Sequence, residues 1–433
     1  MATEPDRTVQ PPISGFSHLE IPNPTLTILP NGIEVYAIDA GDQPINRITL
    51  SYGSGLMEAA NPDALKLATQ LLREGTASYS GNDISQTLDY HGAWLKSDAL
   101  THNTTVSLWS LNKSTTLLLP LLREILQQPT VPEKEFATLR DKHKARYMLS
   151  LKNVTYVASQ IDKELTFGAG HPMCRVLNEH EIDAITTHDV RQAYDAAFRN
   201  PPKLFVAGEI GGLLPEIEQF FSGLKFSSAT TPAMKIMPME PSPAGTVTTA
   251  DVDTEHQAAI VMSLPTIDRS HPDYIALRLA VMALGGYFGS RLMSNIREDK
   301  GYTYGIEANL YGYREGGLIS IATNAAPQYV EAVIAEVKHE MLRLCNEPMP
   351  ADELAVVKNN AMTSLAATLD TPFSIMDHHI SHFHTGTPAN YFDQQVKAIN
   401  SLTVKEIQRL ARQYFRCNEI LTSIARPAAQ STD

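Results

Sequence analysis

Residues 63–81, DALKLATQLLREGTASYSG, decide how the rest of the chain is interpreted. Asn61 is a suitable N-cap, Pro62 suits the first helical turn, and Gly75 follows as a stop signal. The apolar positions have the spacing of one helix face: Leu65, Ala68 and Leu72. The stretch therefore predicts an amphipathic helix that ends near a Gly-Thr turn.

The polar face of this helix raises a functional question. It carries Lys66, Thr69, Gln70 and Arg73, which we expect to be exposed to solvent. Such a face is either merely solvated, or it occupies a position where another protein would carry an active site.

Strand patterns precede the helix. Residues 26–38, LTILPNGIEVYAI, place the pair Asn31-Gly32 between two alternating apolar runs, which is a strong signal for a β-hairpin. Residues 46–52, NRITLSY, continue the strand pattern. The first part of the chain therefore predicts strands that are followed by a helix.

The same order of patterns returns in the second half. Residues 257–265, QAAIVMSLP, have an apolar strand pattern that is again followed by a long helical one. Pro132 corresponds to Pro350 at an offset of 218 residues, and Val190 corresponds to Ile407 at an offset of 217. Two matches at nearly one offset indicate an internal duplication.

We therefore predict an α+β fold of two similar α/β-sandwich halves, each an antiparallel-rich sheet covered by helices. The halves span residues 1–225 and 251–433. Residues 226–250 contain four prolines among Ser, Thr and Ala and have little periodicity, so they predict an interdomain linker. With 433 residues, the chain is also too long for one hydrophobic core.

Composition excludes several classes of function. The net charge is -13 without a long Lys/Arg cluster, which argues against a nucleic-acid partner. No apolar run approaches the roughly 20 residues of a membrane span, and residues 1–16 lack a secretory signal pattern. Cys174, Cys345 and Cys417 form no CxxC pair and are expected to be buried free thiols. We therefore expect a cytoplasmic protein without a membrane partner.

Several stretches together carry a resemblance that covers nearly the whole chain, from about Thr25 to Ile424. They are LPNGIEVYAI (29–38), GSGLMEAANPDALKLATQLLREGT (53–76), residues 171–210, LGGYFGSRLMSNIREDKGYTYGIEANL (284–310) and LDTPFSIMDHHISHFHTG (369–386). In this order the chain resembles the pitrilysin/insulinase family of zinc peptidases. It is most similar to the short bacterial and mitochondrial-processing-peptidase branch, whose subunits contain two similar halves.

In active members of that family the opening helix carries the motif HxxEH shortly before a Gly-Thr pair. Two histidines at i and i+4 share one helix face and bind one zinc ion, while the adjacent Glu acts as general base on the zinc-bound water. A further Glu about 75 residues later completes the family site.

The resemblance implies that this zinc site is degenerate here. Aligned on the Gly-Thr pair, the motif positions are Lys66, Thr69 and Gln70. Aligned on Phe136, the third-ligand position falls at or near Arg146. Since none of these side chains is a good zinc ligand or a base, the chain is expected to hold no zinc, to have no catalytic residue, and to hydrolyse no peptide on its own.

The second half keeps another family feature. Members often carry an Arg and a Tyr seven residues apart around a Lys-Gly pair, and the matching residues here are Arg297 and Tyr304. The resemblance implies a substrate-binding role, in which the pair holds the substrate backbone and stabilises the oxyanion. The alternative is that Arg297 makes a structural ion pair while Tyr304 packs within a strand.

The loss of the zinc motif in the first half, together with the retained Arg297 and Tyr304 in the second, predicts a non-catalytic subunit of a heterodimeric zinc metallopeptidase. Its partner would be a homologous subunit that bears HxxEH and zinc, and the shared substrate would be an unfolded peptide. One alternative is a purely structural, core-type member of the family. Another is an inactive homodimer that binds peptides without hydrolysis.

Residues 377–384, DHHISHFH, offer a third class of function. They contain His378, His379, His382 and His384, and the first and third of these have the i, i+4 spacing of metal ligands. Thr371 and Pro372 predict the start of a helix there. An enzyme with a relocated metal site would need this cluster, whereas we expect surface or interface histidines.

Overall fold

The computed structural model describes residues 8–9, 21–226, 236–254, 256–388 and 390–428. Residues 227–235 of the predicted linker lie outside these ranges, and so does most of the segment in which we sought a secretory signal. Within the described ranges the chain forms eleven strands and fourteen α-helices. No helix in these ranges is both long and apolar enough to cross a lipid bilayer.

The strands form two sheets. The first contains β1 (Thr25–Ile28), β2 (Glu34–Asp39), β3 (Ile45–Tyr52), β4 (Trp94–Ala99), β5 (Thr104–Leu111) and β6 (Lys203–Gly208). The second contains β7 (Val247–Val252), β8 (Ala258–Thr266), β9 (Thr303–Gly312), β10 (Gly317–Ala325) and β11 (Leu421–Pro427). Since β7 begins at Val247, the last four residues of the predicted linker belong to the second sheet.

Helices cover the faces of both sheets. Those of the first half are α1 (Pro62–Leu71), α2 (Gly81–Tyr90), α3 (Asn112–Gln127), α4 (Glu133–Ser150), α5 (Val154–Phe167), α6 (Glu179–Asp183), α7 (Thr187–Phe198) and α8 (Leu214–Ser222). Those of the second half are α9 (Tyr274–Gly285), α10 (Val330–Asn346), α11 (Ala351–Ala367), α12 (Pro372–Thr385), α13 (Tyr391–Ser401) and α14 (Val404–Tyr414). Met293–Asp299 forms a π-helix between α9 and β9.

The strand order repeats between the sheets. The first sheet runs β1-β2-β6-β3-β5-β4 and the second runs β7-β11-β8-β10-β9, so the last five strands of the first match the second position by position. Each sheet has one parallel pair, β2 with β6 in the first sheet and the corresponding β7 with β11 in the second. All other neighbouring strands of the two sheets are antiparallel. This confirms the predicted α+β fold of two similar, antiparallel-rich halves.

Local sequence signals explain the first hairpin. β1 and β2 pair antiparallel, and the turn between them contains Asn31 and Gly32 as predicted. Gly32 has a φ of 85°, which a residue without a Cβ adopts at little cost. The Asn31 side chain also donates hydrogen bonds to the carbonyls of Phe221 and Leu224, so the turn is fixed against the end of α8.

The two halves exchange helices. α5 belongs to the first half in sequence, yet Ala158 packs in one cluster with Ala259 and Val261 of β8 in the second sheet. In return, α12 of the second half packs on β6 of the first sheet, where Met376 and Phe205 share a cluster. Each sheet therefore has one face covered by a helix of the other half, and the boundary in sequence is not a boundary in packing.

Polar contacts also join the halves. The Arg47 side chain, which is 6% exposed, pairs with Asp377 of α12 at 2.6 Å and donates to the Phe373 carbonyl at 3.0 Å. Its guanidinium lies 5.0 Å from the centre of the Trp109 ring. A buried cation needs such a set of partners, so Arg47 fixes where α12 lies on the first sheet.

A histidine links the halves at a second point. His102 of the first half lies between Glu58, at 3.2 Å, and Glu315 of the second half, at 3.0 Å. Burial opposes the charged imidazole, but the hydrogen bonds and charges of the two carboxylates outweigh it and raise the pKa of His102 to about 9. The buried Glu315 is therefore matched by a positive charge at neutral pH.

Candidate functional site

The opening helix forms as predicted but is more buried than predicted. The Asn61 side chain caps α1 by accepting from the backbone N–H groups of Asp63 and Ala64, and Pro62 is the first helical residue. The helix ends at Leu71, earlier than the expected stop at Gly75. Eight of its ten residues are buried, so the helix lies inside the first half and not at its surface.

The expectation of a solvated polar face is wrong for Thr69, which is 3% exposed. Its hydroxyl donates to the Lys66 carbonyl at 2.8 Å, and its own carbonyl accepts from Ser97 of β4. The reason is a second apolar layer, because α1 packs on the sheet through one face and contacts Phe136 of α4 through another. Lys66 and Gln70 are half-buried, and Arg73 is exposed.

The predicted degenerate zinc position lies at a cavity of about 390 Å³. Lys66 from α1 and Arg146 from α4 both line it, so the structure brings these two predicted positions together, whereas Thr69 and Gln70 are not among its lining residues. Two residues that the sequence analysis did not single out, Asp63 and His143, line it as well.

Asp63 organises the charges on the α1 side of this cavity. Its Oδ1 lies 2.8 Å from Lys66 Nζ and 3.3 Å from His143 Nε2. Burial opposes the carboxylate, but the hydrogen bond from His143 and the charge of Lys66 outweigh it and lower the pKa of Asp63 to about 2. Lys66 is thus held beside an ionised carboxylate.

These groups do not fit a zinc ion. A catalytic zinc site needs about three neutral or anionic protein ligands, with donor atoms free to face the metal. Here Lys66 is paired with Asp63, the Thr69 hydroxyl is committed to a backbone carbonyl, and Arg146 adds a second cation. Among the described residues, no group of three or more His, Cys, Asp or Glu side chains is placed to hold a metal.

Arg297 lies in the π-helix before β9. Its guanidinium stacks 4.6 Å from the ring centre of Phe288, which is itself 63% exposed. Its ion pair with Glu298 is long, at 3.9 Å. The predicted alternative of a firm structural ion pair therefore gains little support from this geometry.

Tyr304 lies on β9, at the edge of the second sheet. Its side chain is 91% exposed, so it does not pack within the strand. It lines a groove together with Thr155 and Ser159 of α5, while Tyr156 and Lys163 of the same helix line the cavity at the degenerate zinc position. α5 thus contributes to both sites, and Tyr304 is not among the residues that line the cavity.

The histidine cluster has a structural explanation. Thr371 caps α12 and Pro372 is its first residue, as predicted. His384 hydrogen-bonds Ser51 at 2.8 Å, and His382 is buried against the Phe392 ring. Burial lowers the pKa of all four histidines, and those of His382 and His384 fall to about 4. Neutral, packed imidazoles of this kind give no support to a relocated metal site.

Comparison with a sequence model of the "Peptidase M16 inactive domain" finds a match over residues 184–361. The "Non-peptidase homolog YmxG" of Helicobacter pylori is 24% identical over 391 residues, which cover 88% of this chain and 89% of that protein. Mitochondrial-processing peptidase subunit beta of Bos taurus is 21% identical, with 90% of this chain and 82% of that protein covered.

Solved structures show the same fold. The crystal structure of a peptidase M16 inactive domain from Pseudomonas fluorescens matches with a TM-score of 0.83 and 21% identity, and the match covers 94% of this chain and 98% of that one. The relatives thus agree with the resemblance that the motifs carry. Residues 184–361 thus match the peptidase M16 inactive domain, the chain as a whole is similar to M16 (pitrilysin/insulinase) peptidases, and its opening helix lacks the HxxEH motif.

Proposed function

We propose that this chain is the non-catalytic subunit of a heterodimeric zinc metallopeptidase. The observation that carries the proposal is the state of the degenerate zinc position. Lys66 is paired with Asp63 and the Thr69 hydroxyl is bonded within its own helix, so neither is poised for metal or base chemistry. The zinc ion and the general base would come from a homologous partner that bears HxxEH, and this chain would hold no zinc itself.

The exposure of Arg297 and Tyr304 supports a contribution of these two residues to the active site of the partner subunit. Tyr304 is 91% exposed, and within the described ranges Arg297 has a stacking contact and one long ion pair but no other side-chain partner, so both are available to a molecule that docks there. Arg and Tyr supply hydrogen-bond donors of the kind that stabilise an oxyanion. Under this proposal they reach the partner's active site and bind the substrate backbone.

Sheet edges supply a means of binding an unfolded peptide. Within the described residues, β4 pairs only with β5, and β9 only with β10. An extended peptide can add to such an edge through its backbone hydrogen bonds. Trp94 on β4 is 55% exposed and stacks on Trp109, which gives that edge an apolar contact for a side chain.

Free thiols support a reducing compartment, and we propose the cytoplasm. Cys174, Cys345 and Cys417 are all buried and unpaired with one another. Reducing compartments keep such thiols from forming disulfides.

Substitution of the exposed pair tests the proposal in the complex. Arg297→Ala and Tyr304→Phe are each expected to lower kcat of the assembled peptidase at least about tenfold, because each removes a donor to the developing oxyanion. Peptide hydrolysis and the zinc content of the complex are measured together, and the zinc content is expected to stay unchanged.

Tyr311→Phe is the matched control, since Tyr311 lies on the same strand and loses the same hydroxyl. Its activity should equal that of the unmodified complex. Full activity in both Arg297→Ala and Tyr304→Phe would remove the case for a contribution to the partner's site. It would leave a structural, core-type role or a peptide-binding homodimer.

A further inference from the structure

The cavity at the degenerate zinc position is basic, although the chain as a whole carries a net charge of -13. Four cationic side chains line it, and they come from α1, α4, α5 and the loop after α5: Lys66, Arg146, Lys163 and Arg175. Asp63 is the one carboxylate among the described lining residues. The local charge therefore has the opposite sign to that of the chain.

Two of these cations are unpaired within the described part of the chain. Arg146 and Lys163 have no side-chain hydrogen bond and no ion pair there, whereas Lys66 is paired with Asp63. Arg175 uses one nitrogen to donate to the Ala60 carbonyl, at 2.6 Å. The one carboxylate among the described lining residues is thus already engaged by Lys66, and no second lining carboxylate pairs with Arg146 or Lys163.

Lys163 is partly removed from solvent where it lines the cavity. Burial lowers its pKa, and the nearby charge of Lys66 lowers it further, although Cys174 and Asp162 act in the opposite direction. A half-buried ammonium group is stabilised by an anion that reaches it. The electrostatics of the cavity therefore favour an anionic occupant.

The other walls of the cavity are apolar. Met57, Met173 and Leu177 line it together with the ring of Tyr147. A volume of about 390 Å³ suits a small organic molecule or the last residues of a peptide. A molecule that suits both the cationic and the apolar lining residues has an anionic group at one end and an apolar body.

We infer that this cavity is a binding site for a carboxylate carried on an apolar body, with Lys163 and Arg146 as its principal contacts. Arg146 presents the planar fork that matches a carboxylate, and Lys163 provides a point charge. The carboxylate would come either from the C-terminus of a peptide or from a small organic acid. The inference concerns this chain alone and requires no partner subunit.

Calorimetric titration of the purified full-length chain tests the inference with three probes. They are N-acetyl-Leu-Phe with a free carboxylate, the same dipeptide as its C-terminal amide, and 3-phenylpropionate. We expect the free acid to bind with a Kd on the order of 10–100 µM. The amide should bind at least about tenfold more weakly, because it lacks the charge that the cations attract. Added salt should weaken only the acid.

Substitutions locate the site. Lys163→Gln and Arg146→Gln should each weaken binding of the free acid about tenfold and should reduce its advantage over the amide. Lys134→Gln is the matched control, because Lys134 is an exposed cation on the same helix as Arg146 and does not line the cavity. It should bind the acid as the unmodified chain does.

The three probes also separate the two sources of the carboxylate. Dipeptide binding at least about tenfold tighter than that of 3-phenylpropionate would identify a peptide C-terminus, and comparable binding would identify a small organic acid. Equal affinity for acid and amide, or no binding of any probe at 10 mM, would overturn the inference. These comparisons use the unmodified chain, so they stand even where a variant fails to fold.

Discussion

Replacing Phe205 with alanine is expected to lower the free energy of unfolding by about 3–5 kcal/mol. Phe205 is 1% exposed on β6, stacks on Tyr36 with 5.2 Å between ring centres, and shares a cluster with Met376 of α12. The substitution removes a large ring from the face where a second-half helix covers the first sheet, and leaves a cavity. Urea unfolding followed by circular dichroism measures the loss.

A double-mutant cycle shows whether this loss depends on the helix exchange. Phe383 of α12 makes an edge-to-face contact with Phe205, with ring centres 6.2 Å apart. Phe205→Ala and Phe383→Ala should therefore couple by about 0.5–1.5 kcal/mol. Leu26→Ala is the control on the same sheet, since Leu26 is 54% exposed and should cost less than about 0.5 kcal/mol. Simple additivity of the two Phe substitutions would contradict a stabilising contact between Phe205 and Phe383 in solution.

Replacing Asp162 with asparagine is expected to stabilise the protein at pH 7.5, by about 2–3 kcal/mol. Asp162 of α5 is 7% exposed where that helix meets the second sheet, and its Oδ1 has no hydrogen-bond partner among the described residues. Burial raises the pKa of Asp162 to about 6, although Ser263 and Lys163 act to lower it. A carboxylate there is costly at neutral pH, and a neutral amide of the same shape avoids that cost.

The pH dependence gives the sign of this effect. Because the pKa of Asp162 is higher in the folded chain than its ordinary 3.8, the carboxyl contributes stability below pH 3.8 that is lost as the pH rises through 6. The advantage of Asp162→Asn should therefore be largest above pH 7 and small near pH 4. Asp89→Asn, at an exposed position of α2, should change little at either pH. A gain for Asp162→Asn that is the same at both pH values would contradict this explanation.

Much of the fold could be predicted from local signals and from the duplication. The Asn31-Gly32 turn gave the first hairpin, Asn61 and Pro62 gave the start of α1, and Thr371 gave the start of α12, because capping and turn residues act on the backbone next to them. The offsets shared by the two halves predicted two similar sheets, which the strand order confirms.

The exchange of helices could not be predicted in the same way. The apolar stripe of α5, or of α12, shows that one face is buried but not which sheet buries it. The burial of Thr69 was missed for a related reason, since the stripe of α1 describes one buried face while α4 and α7 cover another. Long-range packing decides both features, and periodicity within one helix does not report it.

The candidate site was predicted only in part. The family positions led to Lys66 and Arg146, which do line one cavity. Asp63 precedes Lys66 by three residues on α1, and His143 precedes Arg146 by three residues on α4. Residues at this spacing share a helix face, so the spacing alone could have pointed to Asp63 and His143. Lys163 could not have been found in this way, because it lies on a different helix, α5, and the local pattern of α5 does not show that Lys163 faces the cavity.

Affinity purification of this chain at its native level, with mass identification of what remains bound, tests the central claim most directly. We expect a stoichiometric partner of about the same size with an intact HxxEH motif, in a complex that contains zinc and hydrolyses peptides. A chain that is recovered only as a homodimer, without zinc and without such a partner, would contradict it.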